Sequence, residues 1–220
     1  MSIRSFSATL CELESFLQPD EKARASQFFH VADRRRSLVA RASLRKLLSM
    51  YLDVTAPENI AISLTTHGKP ELSNSSIRFN ASHSGDFVYL AFANNRRVGV
   101  DVEHVRKELD FEEIGRFCFS EKERAAMRKE LDESSGFFQH WTAKESWMKA
   151  DGRGLSLPIT EYTLGRHADT PDRYGVLHEG YGELNWTTQT LPCPTGYFAA
   201  ITAEGRDWSI ETHSIADLIW

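Results

Sequence analysis

Long apolar runs, paired cysteines and an excess of positive charge are all missing from this chain of 220 residues. No apolar stretch approaches the ~18 residues that a membrane-spanning helix needs. The opening Met1-Ser2-Ile3-Arg4-Ser5-Phe6, followed by Cys11-Glu12, lacks the apolar core of a signal peptide, so a cytoplasmic protein is expected. The three cysteines, Cys11, Cys118 and Cys193, form no CxxC pair and no zinc spacing; free, buried thiols are expected. A net charge of −5 argues against a general nucleic-acid binder. What remains, 41% hydrophobic and 26% charged residues, describes a soluble globular protein of one domain or two small ones.

The charge is nevertheless uneven. Arg34, Arg35, Arg36, Arg41, Arg45 and Lys46 follow one another with no acid between them, a local feature with a cause of its own. Asp33 suits an N-cap, and Leu44, Leu47, Leu48 and Tyr51 recur at helical spacing, which predicts a helix to about Leu52. On it, Arg34, Arg35 and Arg41 read as solvated surface. Thr66-His67-Gly68-Lys69-Pro70 reads as a turn. A short strand, Ile77 to Phe79, then leads into the polar loop Asn80-Ala81-Ser82-His83-Ser84-Gly85, and Phe87–Phe92 reads as a buried strand.

After Asn94-Asn95 the segment Val98-Gly99-Val100-Asp101-Val102-Glu103 alternates cleanly. The valines face one way, and Gly99, Asp101 and Glu103 the other. Ser120 and Glu123 have capping-box spacing, and a second helix is predicted from about Phe137 to Ala150. Strands are predicted near Tyr162–Leu164, Leu184–Leu191, Gly196–Ala203 and Trp208–Thr212. The last two faintly echo Phe87–Phe92 and Val98–Asp101, which hints at a duplicated α+β plan.

Three groups of residues can carry chemistry. On the second helix, Glu145 and Lys149 lie one turn apart. A surface ion pair is the plain reading of such spacing, but the neighbouring Trp141 and Trp147 suggest a partly buried face. Asp101 and Glu103 share a strand face with Gly99, where a glycine marks close approach of a ligand or a backbone. Were these three carboxylates to converge, each pair at ~5 Å would repel by ~3 kcal/mol at an effective dielectric near 20. A hard cation such as Mg²⁺ together with phosphate oxygens would relieve that. The Asn80–Gly85 loop can offer N–H and hydroxyl donors to a phosphate, with His83, Lys69 and Arg36 as further anion ligands. A plain polar loop remains its alternative.

Taken in order, Gly68-Lys69-Pro70, Phe79-Asn80-Ala81-Ser82-His83-Ser84, Val98-Gly99-Val100-Asp101-Val102-Glu103 and Trp141-Thr142-Ala143-Lys144-Glu145-Ser146, with Lys149 and Gly152-Arg153-Gly154-Leu155-Ser156-Leu157-Pro158, resemble the Sfp-type 4′-phosphopantetheinyl transferases. The likeness spans roughly residues 20 to 165. It implies an α+β fold of two similar halves related by a pseudo-twofold, residues 1–105 and 106–220, with coenzyme A in the cleft between them. It further implies that Asp101, Glu103 and Glu145 bind Mg²⁺ with the pyrophosphate. Lys69, Ser82, His83 and Arg36, with Ser37 left open, would hold the adenosine and its 3′-phosphate, while Lys144 and Lys149 face the pyrophosphate. Glu145 is the implied base for a carrier-protein serine, with Glu103 as the alternative. A family basic pair near Glu21–Arg24 finds no clear register here.

The partners implied are coenzyme A and an acyl or peptidyl carrier protein, met by a monomer. An acidic carrier would need a local patch on this acidic chain, and Phe117, Phe119, Lys122, Arg124, Arg128 and Lys129 offer one; an ordinary mixed-charge helix is the alternative. Two other functions fit the same residues: a non-catalytic coenzyme A or carrier-binding module, and a metal-dependent phosphohydrolase.

Overall fold

A computed structural model of the chain describes residues 9–106, 108–129, 132–167, 170 and 172–215. Met1–Phe6, on which the reading of the N-terminus rests, lie outside these residues. The leucine spacing does produce a long helix, α3 (Val31–Leu52), preceded by the short α1 (Leu10–Ser15) and α2 (Pro19–Ser26). Its N-cap is His30 rather than Asp33, which lies in the first turn. Leu38, Val39 and Ala42 pack with Leu13, Leu17 and Ala25 from α1 and the segment beyond it, and Leu44 and Leu48 pack with Ile60, Leu72 and Phe79.

Of the basic run on α3 only Arg45 is buried, and the other five are half-buried. Arg45, 1% exposed, and Arg41 clamp the buried Glu21 of α2, with Arg45 Nε 2.6 Å from Glu21 Oε2. Arg34 pairs with Glu14 at 2.7 Å. Arg41 and Arg34 are therefore tied to acids of the preceding helices rather than left as free surface.

After α3 come a small hairpin, β1 (Ser63–Leu64) with β2 (Pro70–Glu71), and a longer one, β3 (Ile77–Ser84) with β4 (Phe87–Asn94). The expected loop at Asn80–Ser84 is strand, because every residue from Ile77 to Ser84 is in register with β4; only Gly85 and Asp86 form the turn. Next follow β5 (Val98–His104), α4 (Phe111–Cys118), α5 (Glu121–Met127) and α6 (Glu133–Asp151). The Ser120–Glu123 capping box is formed as expected. The chain continues through β6 (Tyr162–Arg166), β7 (Arg173–His178), β8 (Gly182–Thr190) and β9 (Tyr197–Glu204).

These later strands make an antiparallel sheet in the order β5-β9-β8-β7-β6. A division at residue 105 would give β5 to the first half, but its backbone partners are in β9. β7 had no expected counterpart, and Trp208–Thr212 is not a strand, so the sequence echo does not reflect a repeated hairpin. The two halves show themselves instead as a long helix followed by antiparallel strands, α3 before β1–β4 and α6 before β6–β9. The second core gathers Ala143, Trp147 and Ala150 of α6 with Tyr162, Tyr174, Val176, Trp186 and Ala200 of the sheet. On the opposite side α6 meets α4 and α5 through Phe137, Phe138 and Phe119. The three cysteines are free, but Cys11 is exposed and the other two half-buried.

Candidate active site

Gly99 sets the geometry. A Cβ there would stand 2.1 Å from the carbonyl oxygen of Ser146 and 2.3 Å from the amide nitrogen of Ala150. What approaches this glycine is the backbone of α6. Resting on β5 without an intervening side chain, α6 carries Lys149 onto the carboxylate two residues along the strand. Lys149 Nζ lies 2.6 Å from Asp101 Oδ1 and 2.9 Å from Ser82 Oγ.

β3 is joined to β5 through side chains. Alternation puts Asn80, Ser82 and Ser84 on one face of β3. Asn80 Oδ1 accepts the Val100 N–H at 2.9 Å, Ser82 Oγ that of Val102 at 3.4 Å, and Ser84 Oγ that of His104 at 3.0 Å. The same serines donate onward: Ser82 to Asp101 Oδ1 and Ser84 to Glu103 Oε2, both at 2.9 Å. Ser82 thus uses its proton and both lone pairs. The seam between the halves is polar, and it fixes the two carboxylates of β5.

The charges around the seam are strained in one direction. Burial, and then the neighbouring Asp101, push Glu145 up to about 7 against the pull of Lys149. Burial and Asp101 also raise Glu103, opposed by its hydrogen bond from Ser84. Asp101 is almost wholly buried, and its Oδ2 has no hydrogen-bond partner. Crowding by protein, then the cations of Lys149 and Arg36, push His83 below the usual imidazole range. Arg36 is itself paired with Asp33. Among the described residues, no three His, Cys, Asp or Glu side chains stand arranged to hold a metal ion by themselves.

Of the residues singled out from sequence, Ser82, Asp101, Glu103, Glu145 and Lys149 come together, with His83 and Arg36 within electrostatic reach of Lys149's end of the group. Two do not join them. Lys144 is buried in the second core, its Nζ 2.6 Å from Glu123 Oε2 and 2.8 Å from the Tyr162 carbonyl, because α6 turns this side chain toward α5 and β6. Lys69 Nζ donates to the carbonyls of Ala150 and Val98 at 2.9 and 3.2 Å. Asn80 and Ser84 were not singled out, although their period-two spacing around Ser82 was visible once that stretch is taken as strand.

Residues 97–202 match the family described as the 4′-phosphopantetheinyl transferase superfamily, and residues 4–95 match the 4′-phosphopantetheinyl transferase N-terminal family. The chain is 35% identical to the 4′-phosphopantetheinyl transferase HetI of a Nostoc species over 90% of its length and 83% of that protein's. It is 31% identical to the 4′-phosphopantetheinyl transferase Sfp of Bacillus subtilis over 70% of this chain and 69% of that one. The crystal structure of Thermotoga maritima holo-[acyl-carrier-protein] synthase aligns with 50% of this chain and 62% of its own, at 16% identity and a TM-score of 0.40. The chain belongs to the 4′-phosphopantetheinyl transferase superfamily, among its Sfp-like members.

Proposed function

We propose that this transferase moves the 4′-phosphopantetheine arm of coenzyme A onto a serine of an acyl or peptidyl carrier protein in a Mg²⁺-dependent reaction that releases 3′,5′-ADP. The observation that carries the reading is the meeting of Asp101, Glu103, Glu145 and Lys149 along the β3–β5 seam, with one buried carboxylate oxygen, Asp101 Oδ2, left without a partner.

The donor set fits Mg²⁺. This ion takes one or two carboxylates and completes its shell with waters and substrate phosphates, so it does not need three protein ligands already in place. Asp101, Glu103 and Glu145 would share it, one or two of them directly and the rest through its waters, and an acceptor oxygen without a donor suits a cation. When bound, the ion neutralises charge on the pyrophosphate oxygens and lowers the mutual repulsion of the carboxylates.

The chain's own residues account for the rest. Lys149, anchored by Asp101 and Ser82, presents an ammonium group to the phosphate undergoing substitution. Arg36 and His83 would form the anion-binding side for the adenosine 3′-phosphate; Ser82, whose proton and lone pairs are already engaged, would serve it by holding Lys149 and Asp101 in place. The carrier serine oxygen attacks the phosphorus that bears the pantetheine arm, the bond to the 3′,5′-ADP oxygen breaks, and the serine proton passes to Glu145 directly or through water.

The carrier would dock on α4 and α5. Phe117 is 73% exposed there and Lys122, Arg128 and Lys129 are exposed beside it, whereas Phe119 is buried and serves the core. Reversing Lys122 and Arg128 should raise the KM for the carrier and leave that for coenzyme A unchanged. We further propose a monomer acting in the cytoplasm, since Asp101, Glu103, Glu145 and Lys149 all come from one chain. Among the described residues no helix is long and apolar enough to cross a membrane.

Release of 3′,5′-ADP tests the reaction class. It should require an apo carrier protein, Mg²⁺ and Glu145 together. Release without a carrier would mark a phosphohydrolase, and coenzyme A binding with no release a binding module.

A further inference from the structure

The two glycine-flanked motifs, Gly68-Lys69-Pro70 and Gly152-Arg153-Gly154, are distant in sequence, yet they meet. Lys69 closes the turn between β1 and β2. Its amide donates to Thr65 Oγ1 at 3.0 Å, and its carbonyl accepts the Thr65 N–H at 2.9 Å, so the base of the side chain is fixed. From there the side chain reaches Gly152. A Cβ at Gly152 would come within 3.1 Å of Lys69 Cδ, and this residue, the C-cap of α6, has φ +93°. Beyond it the ammonium divides its bonds between Ala150 O, in the last turn of α6, and Val98 O, the first residue of β5. A lysine is a natural partner for the unsatisfied carbonyls at a helix end.

These two carbonyls are not equivalent in consequence. Ala150 follows Lys149 directly, and Val98 stands three residues before Asp101. The hairpin of the first half therefore holds, through one ammonium group, the two elements whose side chains form the Lys149–Asp101 pair. Asp151, which could compete for the lysine, is instead bound by Arg153 at 2.7 and 3.1 Å.

We propose that Lys69 is a positioning residue, a clasp that sets α6 against β5 and so sets Lys149 and Glu145 against Asp101, rather than a ligand of the adenosine 3′-phosphate. The inference rests on the transferase reading above. Gly152 belongs to the same device: its missing side chain makes room for the lysine stem, and its left-handed backbone ends the helix where the ammonium meets it.

The test compares wild type, Lys69→Met, Gly152→Ala and the double variant, with coenzyme A and 3′-dephospho-coenzyme A as donors, at a temperature well below unfolding. Lys69→Met keeps most of the stem and removes the ammonium. Expected is a fall in kcat of about tenfold, the scale of a small misplacement in a preorganised site, with the KM for coenzyme A within about twofold of wild type. The preference for coenzyme A over its dephospho form should be unchanged. A raised KM with that preference collapsed would make Lys69 a phosphate ligand, and an unchanged kcat with only a lower melting temperature would make it purely structural; either overturns the clasp.

Should Lys69→Met not fold, Gly152→Ala displaces the stem while the ammonium remains, and the same split between kcat and KM is expected. If wild type transfers nothing from any donor, the transferase reading has failed, and the clasp is read from urea unfolding alone. The shift of midpoint caused by Gly152→Ala should then shrink by about half in the Lys69→Met background, as contacting residues couple. Equal shifts in both backgrounds would overturn it.

Discussion

The carbonyl of Ser146 occupies the space that a side chain at residue 99 would need: a Cβ on Gly99 would lie 2.1 Å from that oxygen. Helix α6 and strand β5 are in backbone contact there, and the placing of Lys149 and Glu145 against Asp101 depends on it. Gly99→Ala should push α6 outward, because the obstruction is backbone and cannot rotate away. The expected cost is about 1–3 kcal/mol of stability, together with loss of most transfer activity, read by urea unfolding and by steady-state kinetics on the folded fraction.

Glu145 makes the protein less stable as it ionises. Its carboxyl is raised from 4.5 to about 7 by burial and then by Asp101. A raised folded pKa means stability that is complete below the unfolded value and lost as pH climbs through the folded one. In the absence of Mg²⁺, Glu145→Gln should therefore match wild type near pH 4.5 and exceed it by about 3 kcal/mol above pH 7, while transfer falls at least about a hundredfold. Parallel stability curves for the two proteins across that range would remove the electrostatic account of the site.

The Lys144–Glu123 pair is a matter of folding. Both side chains are 1% exposed and lie 2.6 Å apart. Lys144→Met leaves a buried carboxylate without its cation, which should cost about 3–5 kcal/mol. Coenzyme A affinity of the folded variant, measured by calorimetry, should be that of wild type. A specific loss of affinity would return Lys144 to the pyrophosphate.

Glu21 plays the corresponding part in the first half. Burial raises its carboxyl, but the hydrogen bond from Arg45, then the Gln18 amide and the Arg41 charge, outweigh that and hold it below the usual range. A depressed carboxylate contributes stability above its unfolded pKa that disappears as pH falls through the folded value. Glu21→Gln should cost about 3–5 kcal/mol at pH 7, and the difference from wild type should narrow on acidification, as followed by urea midpoints. An undiminished difference in acid would contradict the pairing.

The parts of this design that were legible in the sequence are those with local causes. The alternation from Val98 to Glu103 produced β5, the leucine spacing produced α3, and Ser120 with Glu123 formed its capping box. What escaped depends on partners far along the chain. Asn80–Ser84 is too polar to read as a strand, since its serines and asparagine serve the N–H groups of β5 rather than an apolar core. Helices α1 and α2, with six and eight residues, show too little periodicity to be seen. The fates of Lys69 and Lys144 were decided by carbonyls of Ala150 and Tyr162, which no spacing of motifs indicates. Gly99 was legible as a point of close approach, but the backbone of α6 is what approaches.

The intact mass of an apo carrier protein, after incubation with this enzyme, coenzyme A and Mg²⁺, tests the central claim most directly. The expected result is a gain of one phosphopantetheine unit, absent with EDTA, with Glu145→Gln and with the carrier serine replaced by alanine. No gain on any of several carrier types, from a protein that still binds coenzyme A, would contradict it.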